Sequence, residues 1–296
     1  MRIYLDCLPC FVRQALEAVR MATDDLTIHE RVMREVLRKA SEIRFDLSPP
    51  AMGQQIHRLV REASGNRDPY SAIKRESNRF ALALFPRWRT LVAASSDPFA
   101  AAVRLAIAGN ILDFGVEQDV DLREVAEQLE RCAGNDLAGS DLEALREAVA
   151  QAQSILYIGD NAGEVVLDRL LIEHMPIEKV IFAVRGRAVI NDATREDAEE
   201  VGLTDLVEVI DSGSDAPGTI LELCSAEFRE HFARAELVIA KGQGNYETLS
   251  GVGREVFFLL KAKCPVIARD LACEAGAMIV RCKPASVDSA ERITAG

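Results

Sequence analysis

Apolar residues recur at helical spacing throughout the first half of the chain. Segments 11–20, 29–44, 50–62, 72–84, 99–108 and 141–152 each carry them every three or four residues, which predicts amphipathic helices. Asp97-Pro98 and Ser140-Asp141 read as helix starts, with a side chain able to cap and then a proline or an acid. No alternating strand pattern precedes Ser154. Beyond it the pattern changes to short apolar runs separated by loops and helices. Runs at 154–159, 179–185, 206–211 and 237–240 predict strands, and 255–260 and 277–280 extend the series. Segments 165–174, 193–201 and 220–235 predict the intervening helices. Such alternation implies right-handed crossovers and a parallel sheet covered on both faces.

The expected fold class is therefore α/β. A Rossmann-like three-layer α/β/α core with a mainly parallel sheet is expected at 151–283, after an all-helical N-terminal domain at 1–150. Residues 284–296 are expected to form a loose tail.

Composition narrows the class of function. With 49% hydrophobic and 28% charged residues, a folded core is expected along the whole chain. A net charge of −12 opposes general binding to nucleic acid. The start, MRIYLDCLPC, lacks the apolar run of an export signal, and the most apolar stretch, 256–268, is interrupted by Lys261 and Lys263. The expectation is a cytoplasmic protein without a membrane span, its seven cysteines reduced.

Ligands of open parallel sheets gather beyond the carboxyl ends of the strands. After the first strand comes Gly159-Asp160-Asn161-Ala162-Gly163-Glu164; after the second, the loop that ends at Asn191-Asp192. Asp160, Asn161 and Asp192 are hard oxygen donors on neighbouring loops, and together suit a divalent cation such as Mg²⁺ or Mn²⁺. Each is also placed to cap the helix that follows it. The third loop, 211–218, reads as a surface turn or a substrate loop. The fourth, Lys241-Gly242-Gln243-Gly244-Asn245, sets a lysine at a strand end among glycines and reads as an anion cradle. Its Gly-Gln-Gly resembles the start of a dinucleotide fingerprint, but Glu247 occupies the third glycine position and opposes a pyrophosphate. Lys261 or Lys263 can reach a phosphate or remain a solvated pair. Asn110 and Asp113, after an apolar helix, either end that helix or lean over the site. Cys7 and Cys10 have the spacing of half a zinc site or a redox pair, or are structural thiols.

The motifs in this order, CLPC at 7–10, GNILD at 109–113, DNAGE at 160–164, RGRAVINDAT at 185–194, KGQGNYETL at 241–249 and KAKCP at 261–265, resemble the damage-control phosphatase family, in its stand-alone prokaryotic-type branch. The resemblance implies a phosphatase that uses Mn²⁺, Co²⁺, Ni²⁺ or Mg²⁺ on small phosphorylated metabolites, including sugar phosphates and damaged phosphometabolites. By family pattern Asp160, Asn161 and Asp192 hold the metal, and Gln243, Gly244, Asn245, Tyr246 and Glu247 line the substrate pocket with Lys261 near the phosphate. Lys241 is expected among the catalytic residues, with Glu164, Asn110 and Asp113 on the substrate side. The Rossmann-like core alone leaves open an S-adenosylmethionine-dependent methyltransferase or a non-catalytic metabolite- or metal-binding protein, and the oligomeric state is open.

Overall fold

Ile155–Ile158 is apolar at every position because both faces of that strand are covered, as parallel sheets require. A computed structural model describes residues 1–112, 122–132, 134, 137 and 140–284. Among them are helices α1 (Cys7–Ala22), α2 (Leu26–Ser41), α3 (Pro49–Ser64), α4 (Ser71–Ala93), α5 (Pro98–Ala108), α6 (Leu122–Cys132) and α7 (Leu142–Gln151). Strand β1 (Ile155–Ile158) leads to α8 (Glu164–Ile172), β2 (Val180–Val184), α9 (Arg195–Glu200) and β3 (Glu208–Asp211). Then come α10 (Ala226–Arg234), β4 (Leu237–Lys241), α11 (Gly242–Leu249), β5 (Val256–Lys261), α12 (Pro265–Leu271) and β6 (Met278–Lys283).

The sheet order is β3-β2-β1-β4-β5-β6. Strands β1 to β5 are parallel, and β6 returns antiparallel beside β5. The chain thus winds outward one way from β1 to β3 and the other way from β4 to β6. The switch point lies between β1 and β4, where such sheets form a crevice. Ile158 pairs with Ala183 on one side and Ala240 on the other, so the three strands end level. The register brings Asp160, Arg185 and Lys241 to one edge.

Two layers of helix cover the sheet. Alternate side chains such as Tyr157, Phe182, Ile239 and Leu259 pack with α4, α5, α7 and α8. The opposite face, with Ile158, Val238 and Phe258, packs against α10, α11 and α12. Helices α1 to α3 build a separate apolar cluster around Ala15, Val32 and Ile56. The cores therefore do not divide at residue 150: α4 to α7 belong to the sheet's own layer, and α1 to α3 stand apart. The expected tail at 284–296 lies, after Pro284, outside the described residues.

Three local differences have simple causes. The helix expected at 220–235 begins only at Ala226, because the Ser225 hydroxyl accepts from the Phe228 amide as an N-cap. Gly242 turns the chain at φ +79°, so the fourth loop is itself a helix, α11. Pro265, in the first turn after Cys264, starts α12.

A polar latch joins α3 to the loop after β3. Asp215 accepts from Gln54 at 2.7 Å, from Arg58 at 2.6 Å and from Arg61 at 2.5 Å. Burial alone would raise its carboxyl, but bonds from Arg58 and Gln54 and the nearby guanidinium charges outweigh it and hold the group at about 2. A lowered folded-state value contributes stability above the unfolded value near 4 and loses it as pH falls through about 2. Denaturant melts of Asp215→Asn should show a loss of about 2–3 kcal/mol at pH 6 that closes by pH 2. A loss that stays constant down to pH 2 would mean the latch is not electrostatic.

Candidate functional site

The loops after β1 and β2 are stitched together by their own backbones. Ala193 N–H donates to the Asp160 carbonyl at 2.7 Å, and Ala162 N–H to the Asn191 carbonyl at 2.9 Å. Asn161 and Asp192 form an isolated antiparallel bridge. The second loop is also anchored from outside: Ile190 packs on the α1–α3 cluster. Its φ of +45° is unfavourable for a β-branched residue, so the loop holds a strained backbone two residues before Asp192.

Neither loop uses its acids as helix caps. The N-cap of α8 is Gly163, whose N–H donates to the side-chain amide oxygen Oδ1 of Asn78 at 2.6 Å. Helix α9 has a capping box of Thr194 and Asp197. Asp160, Asn161 and Asp192 are thereby released from the capping role open to them in the sequence. The structure brings all three together.

Arg185, at the end of β2, ties the cluster together. Its Nε donates to Asp192 at 2.6 Å, and its Nη2 lies 3.8 Å from Asp160. The same guanidinium donates to the Thr219 hydroxyl and to the side-chain amide oxygen of Asn245, both at 3.2 Å. Burial, with Asp192 and Glu164 close by, pushes the Asp160 carboxyl well above its ordinary value, against the pull of Arg185 and Lys263. The Asn161 amide donates to Asp160 at 3.0 Å and to Glu164 at 3.2 Å. Carboxylates accept and amide nitrogens donate, so the Asn161 carbonyl oxygen is the end turned away from both.

Lys241 departs from its expected role. Its side chain is fully buried on the α5–α8 face. The ammonium donates to Glu164 at 2.5 Å, Asp168 at 2.6 Å and the Ala106 carbonyl at 2.8 Å. Its three N–H groups are thereby committed, and none remains for a phosphate. Burial works against its charge, yet Asp168 and Glu164 outweigh burial and raise its pKa. Asp168 is raised by burial to about 6, despite Lys241.

The remaining expected residues do not share one place. Gln243 and Glu247 line a groove of about 580 Å³ between α1, α3 and the sheet edge, shared with Lys263, Cys7 and Cys10. Burial pushes Glu247 up to about 7. Gly244 packs under the Pro217 carbonyl, and Asn245 is wholly buried, donating to the Gly159 and Lys241 carbonyls. Tyr246 does not line the pocket. It is buried against Phe258 in the opposite sheet layer and donates to Asp270. Lys261 follows the face of Phe257 and Leu259, where its charge acts on Cys132 of α6. Lys263 is the lysine that faces the groove. Asn110 donates to Glu164 at 3.3 Å from the turn after α5, and Asp113 lies outside the described residues.

Arg185, Thr219 and Asn78 escaped sequence reasoning. Arg185 carried a usable signal, a charged residue ending a fully apolar strand. Asn78 carried none, since it comes from mid-helix in α4. All seven cysteines are free thiols, and among the described residues no group of three or more His, Cys, Asp or Glu side chains is placed to hold a metal ion, at Cys7 and Cys10 or elsewhere. No described helix is long and apolar enough to cross a membrane.

A doubly wound sheet with two carboxylates and an amide converging at its switch point defines a Rossmann-like protein with a polar site at the strand ends. The profile of the damage-control phosphatase ARMT1-like domain matches residues 3–279. The damage-control phosphatase PH1575 of Pyrococcus horikoshii is 37% identical over 284 residues, covering 94% of this chain and 97% of that protein. A damage-control phosphatase of Archaeoglobus fulgidus is 33% identical over 288 residues, covering 95% and 99%. The crystal structure of a DUF89 family protein, PH1575 of Pyrococcus horikoshii, matches with a TM-score of 0.88 and 36% identity, covering 96% of this chain and 99% of that one. The chain belongs to the damage-control phosphatase family. Membership supports a phosphatase role over the methyltransferase and non-catalytic alternatives that the fold alone leaves open.

Proposed function

We propose that this chain is a divalent-cation-dependent phosphatase that hydrolyses small phosphate monoesters, such as sugar phosphates or damaged phosphometabolites. The observation that carries the reading is the convergence of Asp160, Asn161 and Asp192 from two stitched loops at the switch point. Two carboxylates and an amide oxygen suit a hard divalent ion such as Mn²⁺, Co²⁺, Ni²⁺ or Mg²⁺. Electrostatics agree: burial and the neighbouring Asp192 and Glu164 carboxylates push Asp160 well above its ordinary value despite Arg185 and Lys263, a strain that a bound cation would relieve.

When bound, the cation supplies charge neutralisation for a phosphoryl oxygen and polarises water. The chain's own residues do the rest. Arg185 fixes the Asp192 carboxylate, so the donor does not have to be ordered when the site fills. Lys263 brings positive charge to the groove side, where the phosphoryl group gathers negative charge. The groove beside Gln243 and Glu247 accommodates the alcohol part of the ester. Water is the proposed nucleophile, because Ala162 stands where aspartyl-phosphate enzymes carry a second acid two residues after the first.

The test is phosphate release from a panel of phosphate esters with each of the four metals and with a chelator. Turnover with at least one metal, abolished by the chelator, is expected. A folded protein inert with every metal would overturn the reading.

A further inference from the structure

Behind Glu164 runs a buried polar chain that the proposed chemistry does not touch. Tyr157, on β1, donates to Asp168 at 2.7 Å. Asp168, on α8, accepts from Lys241 through the same oxygen. Lys241 donates to Oε1 of Glu164, and Oε2 of Glu164 accepts from Asn161 and Asn110. Tyr157, Asp168 and Lys241 are all fully buried, and none touches the groove. Such an array is a poor way to stabilise a core, because well-packed apolar side chains usually do as well or better.

We propose that Lys241, Asp168 and Tyr157 are positioning residues: they fix the Glu164 carboxylate, which in turn holds the side-chain amide of Asn161, one of the three expected cation donors. The proposal rests on the cation reading above. Glu164 begins α8, and its side chain reaches back to Asn161 on the preceding loop. Without the ammonium, one Glu164 oxygen loses its anchor and the carboxylate can rotate. The Asn161 amide then keeps only its contact with Asp160, and either face of it can turn to the site. Partners that orient metal ligands from behind commonly contribute ten- to a hundredfold in metal affinity.

The test is calorimetry with Mn²⁺ alone on the wild type, two variants and their combination. Lys241→Met combined with Asp168→Leu and Tyr157→Phe removes the pillar as a neutral set and leaves the Glu164 carboxylate held by its amide donors alone. Glu164→Gln keeps the size of the side chain but sets an amide against Asn161. Each should weaken Mn²⁺ binding about tenfold or more while thermal unfolding stays cooperative. Combining them should add almost nothing, because both act through one contact. A purely structural pillar predicts a lowered Tm, unchanged Mn²⁺ affinity and additive effects, and that result overturns the proposal. Should the triple variant fail to fold, Glu164→Gln decides alone: wild-type affinity sinks the idea. Wild-type protein that binds no Mn²⁺ would overturn the cation reading itself, a different outcome from a wild type that binds and a variant that binds equally.

Discussion

Asp192→Asn is expected to lower Mn²⁺ affinity and phosphatase turnover together, by on the order of 10²–10³-fold, in a protein that stays folded. The physical reason is the contrast between two jobs the carboxylate holds. Toward Arg185 it is a hydrogen-bond acceptor at 2.6 Å, a job an amide oxygen can also do. Toward a divalent cation it is a charge, which an amide lacks. Arg185 keeps its bonds to Thr219 and Asn245 in the variant, so the loop has support besides Asp192. The variant thus separates chemistry from architecture better than Asp192→Ala, which leaves a buried guanidinium short of its closest acceptor. Calorimetry with Mn²⁺, phosphate release and a thermal melt would be run on the same preparation. Retained turnover in folded Asp192→Asn would show that the site lies elsewhere.

The sheet was legible because parallel strands buried on both faces read as continuous apolar runs. Each of the first three runs contains its strand, β1 to β3, the fourth covers β4 up to Ala240, and the level register of β1, β2 and β4 explains why strand-end residues could be grouped from sequence alone. What sequence left ambiguous was which way a strand-end side chain turns. Lys241 looked like an anion cradle because of the glycines beside it. Its position two residues after Ile239, which packs against α5 and α8, already put it on that face. The same parity places Lys261 with Leu259, whereas Lys263 lies beyond the end of β5, where strand alternation no longer applies. The family resemblance puts Tyr246 among the pocket-lining residues; as part of helix α11 it faces Phe258 instead. Helix caps could not be assigned either. Asp160, Asn161 and Asp192 compete with Gly163 and Thr194 for the same helix starts, and only Asn78, reaching in from α4, decides the first of them. Contacts that cross 85 residues of sequence leave no local pattern to read.

Gly242→Ala should be nearly as damaging as loss of a carboxylate, although it removes no chemical group. Gly242 sits at φ +79°, which costs an L residue about 1–2 kcal/mol. The larger effect is steric. A Cβ there would stand 1.9 Å from Oδ2 of Asp160 and 2.3 Å from its Cγ, far inside contact distance. Something must move, and the choices are the Asp160 carboxylate or the turn that joins β4 to α11. If the carboxylate turns away, it breaks its bond with the Asn161 amide, and two of the three donors are disturbed at once. If the turn moves, Asn245 loses its hold on the Gly159 and Lys241 carbonyls. Either way Mn²⁺ affinity should fall by about a hundredfold, as when the support of a ligand is lost. Gly251→Ala is the control: a Cβ there meets nothing within 4 Å, and its effect on stability should stay within about 0.5 kcal/mol. A Gly242→Ala protein that binds Mn²⁺ and turns over like its Gly251→Ala counterpart would mean that Asp160, seated against Gly242, is not where the cation is held.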